Sequence, residues 1–257
     1  MGEVFEDRNL TGAVFHRVNL GEVLFNDVNL GGAEFDNVNL GEVKIRNANL
    51  SNLSIDGASI DGMTIYGIRV DELIWAELDR RDPERVRLRM QDPHDPESVW
   101  VVMERLEQVR REFREMLRAT PAKVLVTQPG EGKWSAIEHV RHLVFVEEVY
   151  LNRWIIRNDQ PLSKLGILPV FLADDPQYVD VGSEPTDDLE TILAAWDTIH
   201  ASTRKFLADL TPETLRQDTS DVDLGQGTVG HVLQGMAQHD LQHIREVEAA
   251  IAKIEGE

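Results

Sequence analysis

The stretch VGHVLQGMAQHDLQHIREVEAAIAKI, residues 229–254, decides how the larger part of this chain is read. At about 100° per residue, Val229, Leu233, Met236, Val247, Ile251 and Ile254 form one apolar stripe of a helix predicted from about Thr228 to Ile254. His239 and His243 lie at the edge of that stripe, about 40° apart, so both can face an interior. Two imidazoles four residues apart on one helical face reach a common ion, although a buried pair satisfied by hydrogen bonds has the same spacing. His231 falls on nearly the opposite side, where a surface residue is expected. Asp240 falls within the stripe, where an unpaired carboxylate is costly. It therefore predicts either a structural ion pair or a group that orients a ligand.

A second informative run, WSAIEHVRHL, spans residues 134–143. Ser135 and Glu138 have the spacing of a capping box, which opens a helix predicted to continue to about Ile156. His142 and His139 are rival ligands on it, because the helix is apolar on too many sides for periodicity to choose. Two further helices are predicted. One runs from about Glu97 to Arg118, with Val99, Val102, Leu106, Val109, Phe113 and Leu117 on one face. The other runs from about Thr186 to Leu210 and carries His200 beside Trp196 and Ile199, where a hydrogen-bonded core histidine is the default. The connection from about Arg157 to Glu184 holds Pro161, Pro169 and Pro176, with Pro185 just beyond. It is long for an up-and-down bundle and predicts a pocket wall.

The first seventy residues follow another rule. Large apolar residues recur every five positions, from Phe5, Leu10, Phe15 and Leu20 through to Ile60 and Ile65. A second apolar series, from Ala13, Val18 and Val23 to Met63 and Ile68, precedes each centre by two; Arg8 interrupts it in the first unit. Five matches neither helix nor strand periodicity, but it suits a solenoid whose pentamers each make one side and turn a corner, with both series pointing at the axis. Asn9, Asn19, Asn29, Asn39 and Asn49 recur where turn geometry or pairing with the next coil is expected. After Val70 the pattern stops. Residues 71–80 are predicted to form a capping helix whose Leu73, Ile74, Trp75 and Leu78 cover the end of the solenoid. The stretch that follows, punctuated by Pro83, Pro93 and Pro96, reads as a linker.

The chain contains no cysteine, so a metal here must rest on His, Asp or Glu. A formal charge of −20 argues against nucleic acid, whose phosphates need clustered Lys and Arg. No apolar run is long enough to span a bilayer, and no signal peptide is legible. A cytoplasmic protein without a membrane partner is expected.

The first region, residues 3 to about 69, resembles the pentapeptide-repeat family. That resemblance implies a right-handed, square-sectioned β-helix, here of about three coils or roughly 15 Å at the usual strand spacing. The runs Trp134–Leu143 and His239–His243 resemble the DinB family of metal-binding four-helix bundles, over about Glu97 to Ile254. The family pattern is a Trp-Ser helix start, a His-Leu pair eight residues on, and a His-x-x-x-His pair on the last helix. Carried over, it makes His142, His239 and His243 the ligands of one divalent metal ion, zinc or nickel, and leaves His139 without a counterpart. It further implies similarity to S-transferases and isomerases that use a low-molecular-weight thiol such as bacillithiol or mycothiol on an electrophilic small-molecule substrate. Glu138 and Asp240 are candidate bases, and a homodimer is expected. The alternative is a non-enzymatic scaffold whose repeats dock a partner. The whole reads as a multidomain β + α chain: β-helix 1–70, capping helix and linker 71–96, and four-helix bundle 97–257.

Overall fold

The computed structural model describes residues 5–15, 18–35, 38–55, 58, 60–130, 132–158, 160–168, 178–219 and 227–256. The chain forms two compact units, Met1–Arg46 and Asn47–Glu257.

Within the repeats, the five-residue period of the side chains is also a period of the backbone. Left-handed φ values occur at Asp7, Gly12, Glu22, Asp27, Gly32, Glu42, Asn47, Asn52, Gly62 and Gly67, with Tyr66 beside the last of them as the one departure from the period. These are described corners spaced by multiples of five, as the pentamer pattern predicts. Every second corner is a tight turn: Leu10 O accepts from Ala13 N, Leu20 O from Val23 N, and so on to Ile60 and Met63. The recurrent asparagines serve these turns locally. Asn19 Oδ1, for example, accepts from Gly21 N at 2.8 Å, and Asn9, Asn29, Asn39 and Asn49 repeat the bond.

The expected inward packing differs. Apart from the half-buried Ile60, the described apolar centres keep about half their surface accessible, from 42% at Leu20 to 61% at Ile45. Among the described residues no backbone ladder joins successive turns. The described strands are the short hairpin β1 (Thr64–Ile65) and β2 (Ile68–Arg69).

The hairpin runs into α1 (Val70–Arg81). Asp71 is fully buried, accepts from Gly62 N at 2.8 Å and pairs with Arg69, so the helix start is tied to the last repeat. The expected apolar cover does not form: Leu73, Ile74 and Leu78 are exposed, and Trp75 is only half-buried. The stretch read as a linker is not one either. It contains α2 (Pro83–Arg87) and sends Leu88 and Met90 into the core. Gln234 accepts from Met90 N and donates to Leu88 O at 2.9 Å, while Gln238 donates to Leu88 O at 2.8 Å. Pro93 presses on Gly230, where a Cβ would fall 1.9 Å from the Pro93 carbonyl oxygen.

The remaining helices are α3 (Pro96–Ala119), α4 (Ala122–Val126), α5 (Ala136–Val146), α6 (Leu189–Ala208), α7 (Pro212–Leu215) and α8 (Val229–Glu255). Three of the long helices open on a capping side chain: Asp95 accepts from Ser98 N, Ser135 and Glu138 complete the capping box, and Asp188 accepts from Thr191 N. The predicted second helix does run past Val146, but as a π-helical segment, Glu147–Arg153. α8 packs along α3 and α5, and α6 packs on α5 and the π-helical segment. Leu106, Leu143, Trp196, Leu233 and Ile244 meet in one core. Burying these side chains contributes about 1.5–3 kcal/mol apiece.

Candidate metal centre

The capping box fixes where α5 begins, and therefore which way His142 points. Its ring is buried against α8, where His239 and His243 stand one turn apart. Ring centroids lie 5.4 Å apart for His142 and His239, 4.9 Å for His142 and His243, and 4.4 Å for His239 and His243. One nitrogen from each falls within 4.8 Å of the other two, a group that could hold a metal ion.

Hydrogen bonds assign the nitrogens. His142 Nδ1 is 3.1 Å from the carbonyl oxygen of Ile167, so Nδ1 carries the proton and Nε2 is the basic atom. The long connection supplies that carbonyl, and its neighbour Leu165 O accepts from Arg141 at 2.7 Å. Pro169 and Pro176 of the same connection lie outside the described residues. His243 Nδ1 is 2.9 Å from Glu246 Oε2, and its Nε2 is 3.1 Å from Nε2 of His239. A metal-ligating imidazole commonly has its other nitrogen engaged in this way.

Three observations fit a cation. Burial, reinforced by the neighbouring His243, pushes His142 down to about 4 and His239 down to about 3, from an ordinary value of 6.5. Both rings are therefore neutral, with lone pairs to give. His239 Nδ1 is buried with no hydrogen-bond partner, and one proton at most can sit between the two facing Nε2 atoms. The donor set of neutral imidazole nitrogens suits zinc or nickel.

His139, the rival ligand, lies beside this group. Its Nδ1 is 2.9 Å from His243 Nδ1, and with His243 and Glu246 it forms a second group that could hold an ion. Burial, then His243, pushes it down to about 4. Trp134 lines the rings, 4.9 Å from His142 and 5.4 Å from His139.

Neither candidate base is available. Glu138 accepts from Ser135 N at 2.7 Å as the return half of the capping box. Asp240 is buried and accepts from Arg110 Nε at 2.7 Å, which is the ion pair that its position in the stripe allows. Arg110 also reaches Glu147 at 3.0 Å, and Glu147 accepts from Trp196 Nε1 at 2.8 Å and pairs with His200. The two carboxylates divide one guanidinium unequally. Burial raises Asp240 and Arg110 only partly offsets it, whereas in Glu147 the same penalty is overcome by Arg110 together with His200 and Thr203. His200 itself is raised: burial opposes its charge, but Glu107 and Glu147 outweigh it. It is a hydrogen-bonded core histidine, as expected of its place. His231 is exposed.

Sequence reasoning missed Glu246, Arg110 and Glu147. Arg110 had a signal, since it stands four residues after Leu106 and three before Phe113 and so shares their face. Glu147 had none, because the π-helical segment changes which residues turn inward.

A helical domain with a buried histidine cluster between two of its helices, preceded by a run of five-residue turns, is thus the class of protein in hand. The DinB superfamily model matches residues 105–247, more than half of the chain, and the chain belongs to that superfamily. Pentapeptide repeats, in eight copies, match residues 13–52 and 24–62. No curated protein and no solved structure matches the chain. Among the described residues no helix is long and apolar enough to cross a membrane.

Proposed function

We propose that the chain is a metal-dependent enzyme of the S-transferase type. His142, His239 and His243 hold one divalent ion, zinc or nickel, and a low-molecular-weight thiol acts there on an electrophilic small-molecule substrate. The carrying observation is the approach of three imidazoles from α5 and α8, two of them with the second nitrogen engaged by Ile167 and Glu246. Three protein nitrogens leave a four-coordinate ion one position for an exogenous group. A bound ion would supply positive charge that favours the ionised form of an incoming thiol. The chain's own groups have separable parts. The Ile167 carbonyl fixes the tautomer of His142, Glu246 stands 2.9 Å from Nδ1 of His243, and Trp134 shields the rings from water. Arg110 keeps Asp240 turned away from the chemistry.

The same reading takes α3, α5 with its π-helical continuation, α6 and α8 as a four-helix bundle. It takes residues 1–70 as a right-handed β-helix and the helical remainder, whose core Leu88 and Met90 enter, as the functional domain. The corners at five-residue intervals support the β-helix.

Metal analysis of the purified protein and of His142→Ala, followed by thiol-conjugation assays with and without chelator, tests it. We expect one ion per chain or more in the wild type, loss of that ion in the variant, and thiol consumption that chelator abolishes. Full metal content with no thiol-dependent turnover on several electrophiles overturns the enzyme reading in favour of a metal-stabilised scaffold. One observation favours that second reading: the half-exposed apolar row that includes Phe5, Phe15, Phe25 and Phe35, which a second copy could cover in a homodimer.

A further inference from the structure

His243 faces two ways. Its Nε2 looks toward His239 at 3.1 Å, while its Nδ1 lies 2.9 Å from His139 Nδ1 and 2.9 Å from Glu246 Oε2. The third side of the latter triangle, His139 Nδ1 to Glu246 Oε2, is 3.5 Å. A tetrahedral ion with bonds of about 2.0–2.1 Å has ligand–ligand edges of roughly 3.3 Å, so this triangle is close to the face of a coordination polyhedron. The helices arrange it in steps. One turn back along α5 takes His142 to His139, and moving forward along α8 takes His239 past His243 to Glu246. The two helices run antiparallel through the cluster, with His243 at the middle level.

We infer that His243 bridges two divalent cations, one shared with His142 and His239 and the other with His139 and Glu246. The inference rests on the three-histidine reading for its first ion and adds a second that nothing so far assigns. A plain orienting role for Glu246 leaves His139 unexplained. If the His243 Nδ1 proton goes to Glu246, the His139 Nδ1 lone pair faces the same hydrogen at best. If His139 carries the proton it donates to His243 Nδ1 at 2.9 Å, which leaves Glu246 Oε2 facing an unprotonated nitrogen at 2.9 Å. A cation satisfies all three atoms together. Glu246 is partly exposed while His139 and His243 are buried, which gives the ion a carboxylate at the solvent side and nitrogens inside.

Bridging uses both lone pairs of the ring. The His243 N–H bond therefore breaks, its proton passes to solvent, and each nitrogen forms one bond to a cation. Two dications set against one imidazolate and one carboxylate leave the pair of sites net cationic, which would favour an anionic ligand such as a thiolate or carboxylate.

The test uses the full chain, stripped with chelator and dialysed against zinc chloride, with metal and protein measured together. We expect two equivalents in the wild type and one in both His139→Ala and Glu246→Gln, with folding checked by circular dichroism. One equivalent in the wild type, unchanged in His139→Ala but lost in His142→Ala, overturns the bridge and leaves the first site standing. No metal in the wild type overturns both. A second measurement needs no variant. Wild type loaded with two equivalents of Cu²⁺ should lose most of its isolated-copper paramagnetic resonance signal through coupling across the ring. Two bound equivalents with uncoupled spectra would also defeat the proposal.

Discussion

The buried histidines form two populations, and their titrations run in opposite directions. In metal-free protein, His139, His142 and His239 have folded-state values near 4, 4 and 3 against 6.5 unfolded. The unfolded chain therefore takes up protons first as pH falls. Stability that these rings leave intact above pH 6.5 is lost progressively down to their folded values, by about 3 kcal/mol or more in all. His200 is raised, so its contribution is full below 6.5 and fades as pH rises through its folded value. Urea midpoints of apo-protein should fall between pH 6.5 and 4, and replacing all three depressed histidines by Gln should flatten that fall; an unchanged slope would refute the assignment. The Arg110–Asp240 pair makes a second prediction at this scale. Arg110→Met strands two buried carboxylates and should cost about 3–5 kcal/mol in denaturant unfolding, with one or more metal equivalents retained by the folded fraction. Concurrent loss of all metal would mean that Asp240 bears directly on the histidines.

Among the elements, the capping box was legible because two residue types at one spacing specify a local geometry. Ser135→Ala should cost about 1 kcal/mol of stability and, by loosening the start of α5, weaken metal binding at His142. Equal affinity in the variant would show that the first turn does not position the ring. The His239–His243 spacing was legible for the same reason. Other things were not. The choice between His139 and His142 needed the partner helix, since both rings turn toward α8 and differ only in which of its levels they meet. Glu246 is three residues beyond His243 and looked like any solvated acid on a helix. The stretch around Leu88 and Met90 looked like a linker because its prolines and charges are conspicuous, while what anchors it is distant: Gln234 and Gln238, about 150 positions later in the chain. Gly230 also hid its reason. Gly230→Ala should destabilise by more than the few tenths of a kcal/mol typical of surface changes, because the added methyl meets a backbone oxygen. A variant with the wild-type melting temperature would mean that Pro93 moves freely.

Across the whole molecule, the five-residue period gave away the corners of the repeats but not how their apolar residues are covered. Periodicity fixes where a backbone bends; burial depends on what comes to lie against it. If a second copy covers Phe15, Phe25 and Phe35, the full chain should elute as a dimer in size-exclusion chromatography with light scattering, and replacing these three by Glu should yield monomers with unchanged metal content. A monomeric wild type would exclude that use of the row. The net charge of −20 works against any such association at low ionic strength, so the dimer should strengthen as salt is added, until screening is complete.

The glutamine clamp has a mechanical side. Tension drawn along residues 70–90 would reach α8 through side-chain bonds at Gln234 and Gln238 as well as α3 through the Glu84–Arg105 pair, and Gln238 immediately precedes His239 in the chain. The last helix thus shares the load with α3, and the part it carries would be felt at the imidazoles as a change of tilt within a turn or two.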